Sequence, residues 1–419
     1  MLKWLAPLLV ALPVAVLGEF LGWGATLVFV LALIAVVPLA GIIGHYTDRL
    51  TEYIGEVAGG LLDATFGNAP ELIIGVLLIA NVFPVVGAQD IVKALIIGSV
   101  VSNALFVLGT SVLIGALRNG RMTFSADRAG SYASMLALAV AGLSLPALAV
   151  FFGNDAVKLT RSEDKIHLSV VVAVILLLSY AAYLAATLFH VGERGHGASG
   201  ADGERPGAAE SKAERTADQT AELGTPVLGE HPAAPETEVE RMVAAEEDDA
   251  AVQRRLRRDK RRGHGREIVL ALIILVVATA FTVIASIILV NKMDTVIKRT
   301  ALTPFFVGFI LLPFITNAVE QTGAISAAFE NRMEETMAVA AGSGVQVALF
   351  VAGALCLASL LIGNPIDLVF TKVELIIVAL VTFVYALVSL DGETTWLEGL
   401  QLIAFYLMVA ATAFFLPGV

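Results

Sequence analysis

Long apolar runs, separated by short polar stretches, dominate the chain. Each run holds about 20 residues, the length that crosses the hydrocarbon core of a bilayer as an α-helix. The short alternating strands that are typical of membrane barrels are not found in the pattern. It therefore predicts an all-α polytopic membrane protein with about eleven transmembrane helices, near residues 3–18, 23–44, 55–83, 91–117, 131–152, 166–190, 267–290, 301–328, 336–362, 372–390 and 397–416.

Composition supports this class, because 57% of the 419 residues are hydrophobic and only 16% are charged. A soluble protein of this length could not bury so much apolar surface. The single cysteine, Cys356, lies inside an apolar run. One cysteine can form neither an internal disulfide nor a thiolate metal cage, so we interpret it as a packing residue.

One long segment, 191–266, interrupts the apolar pattern and has a different composition. It is rich in Ala, Gly, Glu and Arg; its first part is acidic up to Asp249, and its end is basic from Arg254 to Arg262. Such a segment cannot bury enough apolar surface to fold alone, so we predict a mostly disordered linker in which 235–262 has the option of a charged helix. Contact of its basic end with anionic lipid, a regulatory role, and collection of cations by its acidic part all remain open.

The linker also orients the chain in the membrane. Six spans precede it, so the N-terminus and the linker share one side, and the basic cluster makes that side cytoplasmic. The short loops conflict: three arginines agree with this orientation and six other basic residues oppose it, namely Arg118, Arg121 and Arg128 against Lys158, Arg161, Lys165, Lys292, Lys298 and Arg299. We expect a multi-pass protein of a prokaryotic plasma membrane, with the linker in the cytoplasm.

Two motifs recur in the same order in the two parts of the chain. Segments 98–109 (GSVVSNALFVLG) and 342–353 (GSGVQVALFVAG) are identical at eight of their twelve positions. Each follows a helix in which an asparagine precedes a glutamate by three residues, Asn68 with Glu71 and Asn317 with Glu320. The repeat divides the chain into an N-terminal transmembrane helix (1–22), a first repeat (23–190), the linker (191–266) and a second repeat (267–419).

The number of spans in each repeat predicts how the repeats are arranged. Five spans per repeat is an odd number, so the second repeat must insert upside down relative to the first. Inverted repeats of this kind are typical of secondary transporters, whose substrate site lies near the midplane where the halves meet. The pattern therefore predicts one extra helix plus two inverted five-helix repeats.

Glu71 and Glu320 lie well inside apolar spans. A carboxylate at the bilayer centre costs roughly 2.5–3.5 kcal/mol or more, so it usually faces a partner or a cavity and serves a function. Pro70 and Pro313 mark breaks in the two helices, because proline removes a donor and frees a carbonyl group. Irregular backbone is tolerated in a membrane where it lines a cavity. These residues therefore predict an ion site between the repeats; a protonated glutamate bonded to a neighbouring helix is the structural alternative.

The candidate ligands around these glutamates are oxygen donors, with no thiolate and no histidine among them. Such hard donors suit Ca²⁺, Mg²⁺ or Mn²⁺. Asp63, two turns before Glu71, is a candidate third acid on the ion path or else a capped or water-facing residue. The serine and glycine pattern also permits close helix packing. Besides the two glutamates, the candidate metal ligands are Asn68, Asn317, Ser99, Asn103, Ser343 and Gln346.

A paired-carboxylate site suggests how transport is coupled. Two carboxylates in a poorly solvated site repel one another, so protons are the natural replacement when a cation leaves. One divalent cation or about two protons neutralise the same pair, and competition for one site with alternating access is sufficient for antiport. A passive channel is the alternative from another class. The sequence contains no phosphate-binding loop, no catalytic triad and no zinc-protease motif, so we expect neither ATP drive nor an enzyme.

Three stretches carry a family resemblance: 59–75 (GGLLDATFGNAPELIIG), 312–353 with its TNAVEQ and GSGVQVALFV motifs, and 391–410 (DGETTWLEGLQLIAFYLMVA). They resemble the cation/proton exchanger (CAX) family of the calcium/cation antiporter superfamily, and the resemblance covers nearly the whole chain outside the linker. It implies a cytosolic acidic segment between the halves and export of Ca²⁺ from the cytosol in exchange for H⁺. It also implies that Glu71 and Glu320 are the central ion ligands.

The chain departs from the family pattern at several positions. Thr316, Val319 and Gln321 replace the glycine, alanine and histidine that are usual in the second motif. The missing histidine removes one candidate proton carrier and leaves the coupling and the choice of ion open. Gln321, which stands in its place, is one of the candidate metal ligands. Pro70 is more typical of sodium/calcium exchangers, and Asp63 stands where the family usually has asparagine. Exchange driven by Na⁺, or of Mn²⁺ or Mg²⁺, therefore remains open.

The expected partners follow from this interpretation. They are Ca²⁺ and H⁺ as transported substrates and the lipid bilayer, with no cofactor and no nucleic acid. A homo-oligomer remains an option.

Overall fold

The computed structural model describes residues 6–54, 61–152, 162–189 and 236–416, and these residues are almost entirely helical. The elements before the linker are α1 (Ala11–Phe20), α2 (Ala25–Ile54), α3 (Ala69–Ile79), α4 (Ala88–Val101), α5 (Leu108–Asn119), β1 (Met122–Thr123), α6 (Ala126–Phe152) and α7 (Ser162–Phe189). A 3₁₀ turn, Ala6–Val10, precedes α1. The π-helical segments Asp63–Gly67 and Ser102–Val107 lead into α3 and α5.

The second part of the chain repeats two features of the first. One is a broken helix, formed by Asp63–Gly67 with α3 in the first part and by Pro304–Thr316 with Ala318–Phe329 in the second. The other is a π-helical segment in the helix that follows. Its elements are α8 (Glu236–Arg299), α9 (Pro304–Phe306), α10 (Leu312–Thr316), α11 (Ala318–Phe329), α12 (Met333–Gln346), α13 (Ala352–Ile362), α14 (Lys372–Val388), β2 (Glu393–Thr394) and α15 (Trp396–Phe415). The π-helical segments Val307–Leu311 and Val347–Val351 connect α9 to α10 and α12 to α13. Such segments often occur at functional sites.

The helices account for the predicted spans. Within the described ranges, seven helices are long and apolar enough to cross a membrane, and the pair Pro304–Thr316 and Ala318–Phe329, bent by 50°, makes eight. The other three predicted spans correspond to the shorter apolar helices Pro7–Phe20 and Ala69–Ile79 and to α14. The all-α polytopic fold is therefore confirmed.

Two helices near the C-terminus begin at sequence-encoded capping boxes. Thr371 accepts a hydrogen bond from the backbone N–H of Glu374, and the Glu374 carboxylate accepts one from the Thr371 N–H at 2.7 Å. Thr395 and Glu398 form the same arrangement at the start of α15. The first N–H groups of a helix have no hydrogen-bond partner within the helix, and each capping box supplies side-chain partners for two N–H groups at the helix start.

The span formed by α4 and α5 lies at the centre of the bundle. In an apolar 18-residue window within Ala88–Asn119, 89% of the residues are buried, against 28% in the corresponding windows of Glu163–Ala185, Gly265–Arg299 and Trp396–Phe415. The outer helices expose large apolar side chains, among them Phe20, Leu138, Phe152, Leu361, Leu390 and Phe415. Lipid tails are the environment that suits such a surface.

Glycine permits α4 to pack backbone against backbone on the second half. A Cβ atom at Gly98 would overlap the carbonyl group of Phe309, and one at Gly308 would lie 2.5 Å from the Ile91 oxygen. Small residues at such contacts are the usual way for membrane helices to approach closely. The central helix is thereby held against the π-helical segment of the opposite half.

Hydrogen bonds show that α3 runs parallel to α12 and α13. The Asn68 amide, just before α3, donates to Gln346 Oε1 at the end of α12, at 3.0 Å. The Asn364 amide, just after α13, donates to the Ile79 carbonyl at the end of α3, at 2.7 Å. The N-terminal and C-terminal ends of α3 thus meet successive points along the later helix.

The same argument makes α4 and α5 parallel to the broken helix of the second half. Gly87 lies against Pro304 at the start of both elements. The Asn119 amide donates to the Ala328 carbonyl near their ends, at 3.0 Å. Because α3 and α4 pack together after a short turn and run antiparallel, the second broken helix runs opposite to the first. The two broken helices are therefore inverted, as the repeat pattern predicted.

A small sheet and two ion pairs join the halves at one end. Strand β1 pairs antiparallel with β2, with Met122 opposite Thr394. Arg121 and Glu393 approach at 2.7 Å, and Arg128 and Glu334 at 2.8 Å. These exposed pairs are worth little individually but connect loops that belong to different halves.

Two compact units make up the chain, Met1–Leu184 with Leu270–Val419, and Ala185–Val269. The predicted charged helix at 235–262 is helical from Glu236 onward and continues into the next span. Residues 191–235, most of the predicted disordered linker, lie outside the described residues, as do Lys158, Arg161 and positions 59 and 60 of the first motif. The four-part division of the chain stays a prediction.

Candidate cation site

Two asparagines interrupt the helices that carry the intramembrane glutamates. Asn68 has φ −98° and ψ 21°, and Asn317 has φ −83° and ψ 12°, which lie outside the helical region. Each asparagine is the N-cap of a new helix, so Glu71 and Glu320 fall in the first turns of α3 and α11. The positive end of a helix dipole favours a carboxylate at this position.

The two glutamates approach one another from opposite halves. Glu71 is 2% exposed, and its Oε2 has no hydrogen-bond partner among the described residues. Oε2 of Glu320 is likewise buried without a described partner. The charge of Glu320 interacts with those of Glu71 and Asp63, and the Thr316 hydroxyl lies beside the Glu71 carboxylate. The two carboxylates are thus buried and close enough for their charges to interact.

A chain of side-chain amides connects the first broken helix to the second half. Asn68 Nδ2 donates to the Ala64 carbonyl and to Gln346 Oε1, both at 3.0 Å. Gln346 Nε2 donates in turn to Asp63 Oδ2 at 2.9 Å. The structure therefore brings Asp63, Asn68 and Gln346 together, although Gln346 lies on the opposite repeat.

The break at Asn317 has different hydrogen-bond partners. Asn317 Nδ2 donates to the backbone carbonyl of Ser99 at 3.3 Å, and the Thr316 hydroxyl is 3.5 Å from Asn317 Oδ1. Asn103 lies next to Gly344 of α12. The Ser99 hydroxyl and both amide atoms of Asn103 are buried with no partner in the described parts of the chain. Buried polar atoms of this kind are rare in native proteins and call for an explanation.

The remaining predicted ligands are Ser343 and Gln321. Ser343 lies one turn before Gln346 on α12, and Gln321 follows Glu320 on α11; both are half-buried. Cys356 is buried and its Sγ is 3.7 Å from the Ile366 carbonyl, which agrees with its interpretation as a packing residue.

Sequence reasoning missed Ser102. Its side chain is fully buried at the start of the π-helical segment, and its hydroxyl has no partner among the described residues. The repeat alignment contained the signal, because position 102 of the first motif matches Gln346 of the second. A serine in an apolar run is too common to be singled out without that comparison.

The donor set suits a hard cation. Within the described ranges, no group of three or more His, Cys, Asp or Glu side chains is arranged to hold a metal ion. A cation here would therefore need neutral oxygens beside the two glutamates, and amide, hydroxyl and carbonyl groups supply them. Ca²⁺ accepts about 6–8 such ligands in flexible geometries.

Comparison with known proteins found a matching family and relatives that align with nearly the whole chain. Residues 24–189 and 270–415 match the model of the sodium/calcium exchanger protein family. The chain is 32% identical to a Ca²⁺/H⁺ antiporter of Aphanothece halophytica, over 98% of this chain and 96% of the relative. It is 34% identical to a Ca²⁺/H⁺ antiporter of Synechocystis sp., over 98% of this chain and 96% of the relative.

A solved structure shares the fold. The structure of native YfkE superimposes with a TM-score of 0.71 and 25% sequence identity, covering 99% of this chain and 100% of that one. The similarity therefore extends over both halves of the chain.

Proposed function

Because the chain belongs to the sodium/calcium exchanger protein family, we propose that it is a secondary antiporter that exchanges Ca²⁺ for H⁺ across a membrane. Two relatives that match almost the full chain at 32% and 34% identity are named Ca²⁺/H⁺ antiporters. Their names support protons rather than Na⁺ as the coupling ion, despite Pro70 and Gln321.

The observation that carries the proposal is the pairing of Glu71 and Glu320. They come from inverted broken helices, their charges interact, and each has a buried oxygen without a described partner. One Ca²⁺ bound between them would neutralise both carboxylates, and two protons would do the same after the cation leaves. Each exchange would then leave the site with the same net charge.

Neutral oxygens would complete the coordination shell. Asn68, Asn317, Ser99, Asn103 and Gln346 surround the two helix breaks, with Ser343 and Gln321 at the half-buried margin. Asp63 would lie on the ion path beside Gln346. Removing most of the hydration shell of Ca²⁺ requires this many oxygen donors.

Alternating access would arise from motion of one inverted half against the other around the site. Besides apolar packing, the halves meet through hydrogen bonds and ion pairs such as Lys93 with Asp367 at 3.3 Å. Contacts of this size can exchange between two arrangements.

The direction and location of transport are part of the proposal. We place the linker in the cytoplasm of a prokaryotic plasma membrane, so that Ca²⁺ leaves the cytosol as H⁺ enters. The protein would act as a transporter without enzymatic activity and without a cofactor. A CAX-like exchanger for Mn²⁺ or Mg²⁺ would use the same site, and a passive channel would not need paired carboxylates in inverted helices.

The test is Ca²⁺ uptake into proteoliposomes under an imposed pH gradient, with and without an opposing Na⁺ gradient. We expect the pH gradient alone to drive uptake, with Na⁺ having no effect. Uptake that requires Na⁺ would replace the coupling ion, and uptake indifferent to either gradient would indicate a channel. Competition by Mn²⁺ and Mg²⁺ in the same assay measures selectivity.

A further inference from the structure

The candidate site has two arms, Asn68 with Gln346 on one and Asn317 with Ser99 and Ser102 on the other. Comparison of the two motifs shows that their hydrogen bonds differ. Ser102 and Gln346 occupy matching positions of the two motifs. On one arm, Gln346 reaches the opposite broken helix and bonds both Asn68 and Asp63. On the other, Asn317 donates to the Ser99 backbone, and the Ser102 hydroxyl has no partner among the described residues.

Unpartnered polar atoms concentrate on the Ser102 arm. Ser102 is 0%, Asn103 1% and Tyr406 3% exposed. The hydroxyls of Ser102 and Tyr406 and both amide atoms of Asn103 lack hydrogen-bond partners in the described parts of the chain. Leaving a buried polar group unpaired is costly, so this arm is suited to a polar guest.

Tyr406 reaches this arm from the last helix. Its hydroxyl lies near the Ser102 hydroxyl, although the geometry of a hydrogen bond between them is not met. Its ring packs against Phe106 in a tilted arrangement, at 5.0 Å between centroids, and Phe106 in turn contacts Phe314 at 5.1 Å. The contact with Phe106, which is in the same π-helical segment as Ser102, fixes the ring of Tyr406 near Ser102.

We propose that Ser102 is a further neutral oxygen ligand of the transported cation and that Tyr406 is a positioning residue that orients the Ser102 hydroxyl. A hydrogen bond donated by the Tyr406 hydroxyl would use one lone pair of the Ser102 oxygen and leave the other for the cation. The side chain of Gln346 already forms hydrogen bonds with Asn68 and Asp63. The cation therefore takes a further neutral oxygen from Ser102, the residue at the matching position of the other motif. This inference rests on the proposed function, because it assumes that a hard cation binds between Glu71 and Glu320.

The decisive variant is Ser102→Cys, which replaces a hard oxygen by a soft sulfur at nearly constant size. Thiolate ligands favour soft metals over Ca²⁺. We expect the Cd²⁺ affinity of this variant to rise relative to its Ca²⁺ affinity by at least tenfold, measured by cation-dependent thermal stabilisation of the purified protein in detergent. A structural role alone would not reverse the metal preference.

Ser111→Cys is the matched control. Ser111 is fully buried on the adjoining helix α5, but its hydroxyl donates to the Val107 carbonyl at 2.7 Å. Cys356 is present in every variant, so its contribution cancels. We expect Ser111→Cys to keep the wild-type ratio of Cd²⁺ to Ca²⁺ affinity. An unchanged ratio in Ser102→Cys as well would overturn the proposal.

Tyr406→Phe tests the positioning role. We expect a several-fold higher Ca²⁺ concentration for half-maximal transport with little change in maximal rate, and no such change in Tyr385→Phe, whose hydroxyl is also buried without a described partner. Equal effects of both substitutions would show that the loss is structural. Wild-type protein that binds Ca²⁺ but ignores a pH gradient would refute the proposed exchange while leaving the Ser102 test intact; failure of wild-type protein to bind Ca²⁺ would refute both.

Discussion

Gln346 donates its side-chain amide to the Asp63 carboxylate at 2.9 Å, although 283 positions separate the two residues in the chain. The bond joins the end of α12 to the start of the π-helical segment that leads into α3. It therefore connects the two inverted halves beside the glutamate pair. The same glutamine accepts from Asn68, so one side chain holds two polar groups of the opposite repeat.

Replacing Gln346 by alanine should destabilise the protein by about 1 kcal/mol for each hydrogen bond lost. Thermal unfolding in detergent measures the effect. Gln89→Ala is the control, because the Gln89–Asn364 bond also joins the halves but is exposed. If both variants melted together with wild type, the amide chain would not contribute to stability.

Asp63→Asn isolates the charge of Asp63. Asparagine keeps an oxygen that can accept from Gln346 but removes a negative charge that acts on Glu320. We expect a several-fold higher Ca²⁺ concentration for half-maximal uptake and an unchanged melting temperature. A kinetic profile identical to that of wild type would exclude Asp63 from the ion path.

Glu71→Gln and Glu320→Gln should each nearly abolish Ca²⁺ uptake while the protein remains inserted. Each change removes one charged partner of the cation in a buried site, a loss of about 2–5 kcal/mol or roughly 30-fold and more in affinity. Proteoliposome uptake and Ca²⁺-dependent thermal stabilisation provide independent readouts. Glu334→Gln, on the exposed pair with Arg128, should retain uptake. Near-normal flux in either glutamate variant would refute the site.

Gly98→Ala should destabilise the bundle by about 1–3 kcal/mol or more, because the new methyl group would overlap the Phe309 carbonyl. Gly130→Ala on α6 is the matched control, since nothing lies within 4 Å of the added atom. Melting temperatures of the two variants should separate clearly. Equal stability would mean that α4 can move away from the opposite π-helical segment at no cost.

Deleting residues 200–250 should preserve Ca²⁺ exchange and alter only its regulation. The range Ala185–Val269 is separate from the unit that contains both glutamates. Uptake in proteoliposomes, with wild type at equal protein density, measures the result. Loss of membrane insertion would instead make the linker a structural element.

Much of the fold was determined by the sequence alone, because bilayer thickness requires apolar helices of a given length. The motif repeat predicted the inversion, and it singled out Glu71 and Glu320 because a charged group inside a membrane is costly without a function. Asn68 and Asn317 followed from their fixed spacing to those glutamates. These predictions depend on local composition and order, which a sequence displays directly.

Other features were decided only by the tertiary structure. The Gln346 bridge to Asp63, the contact of Asn317 with the Ser99 carbonyl and the burial of Ser102 all depend on helix rotation and on the extra residue that each π-helical segment inserts. A shift of one residue in a helix turns its side chains by about 100°. The sequence therefore identified the helices that carry the proposed site, whereas packing between the inverted halves decided which polar side chains meet.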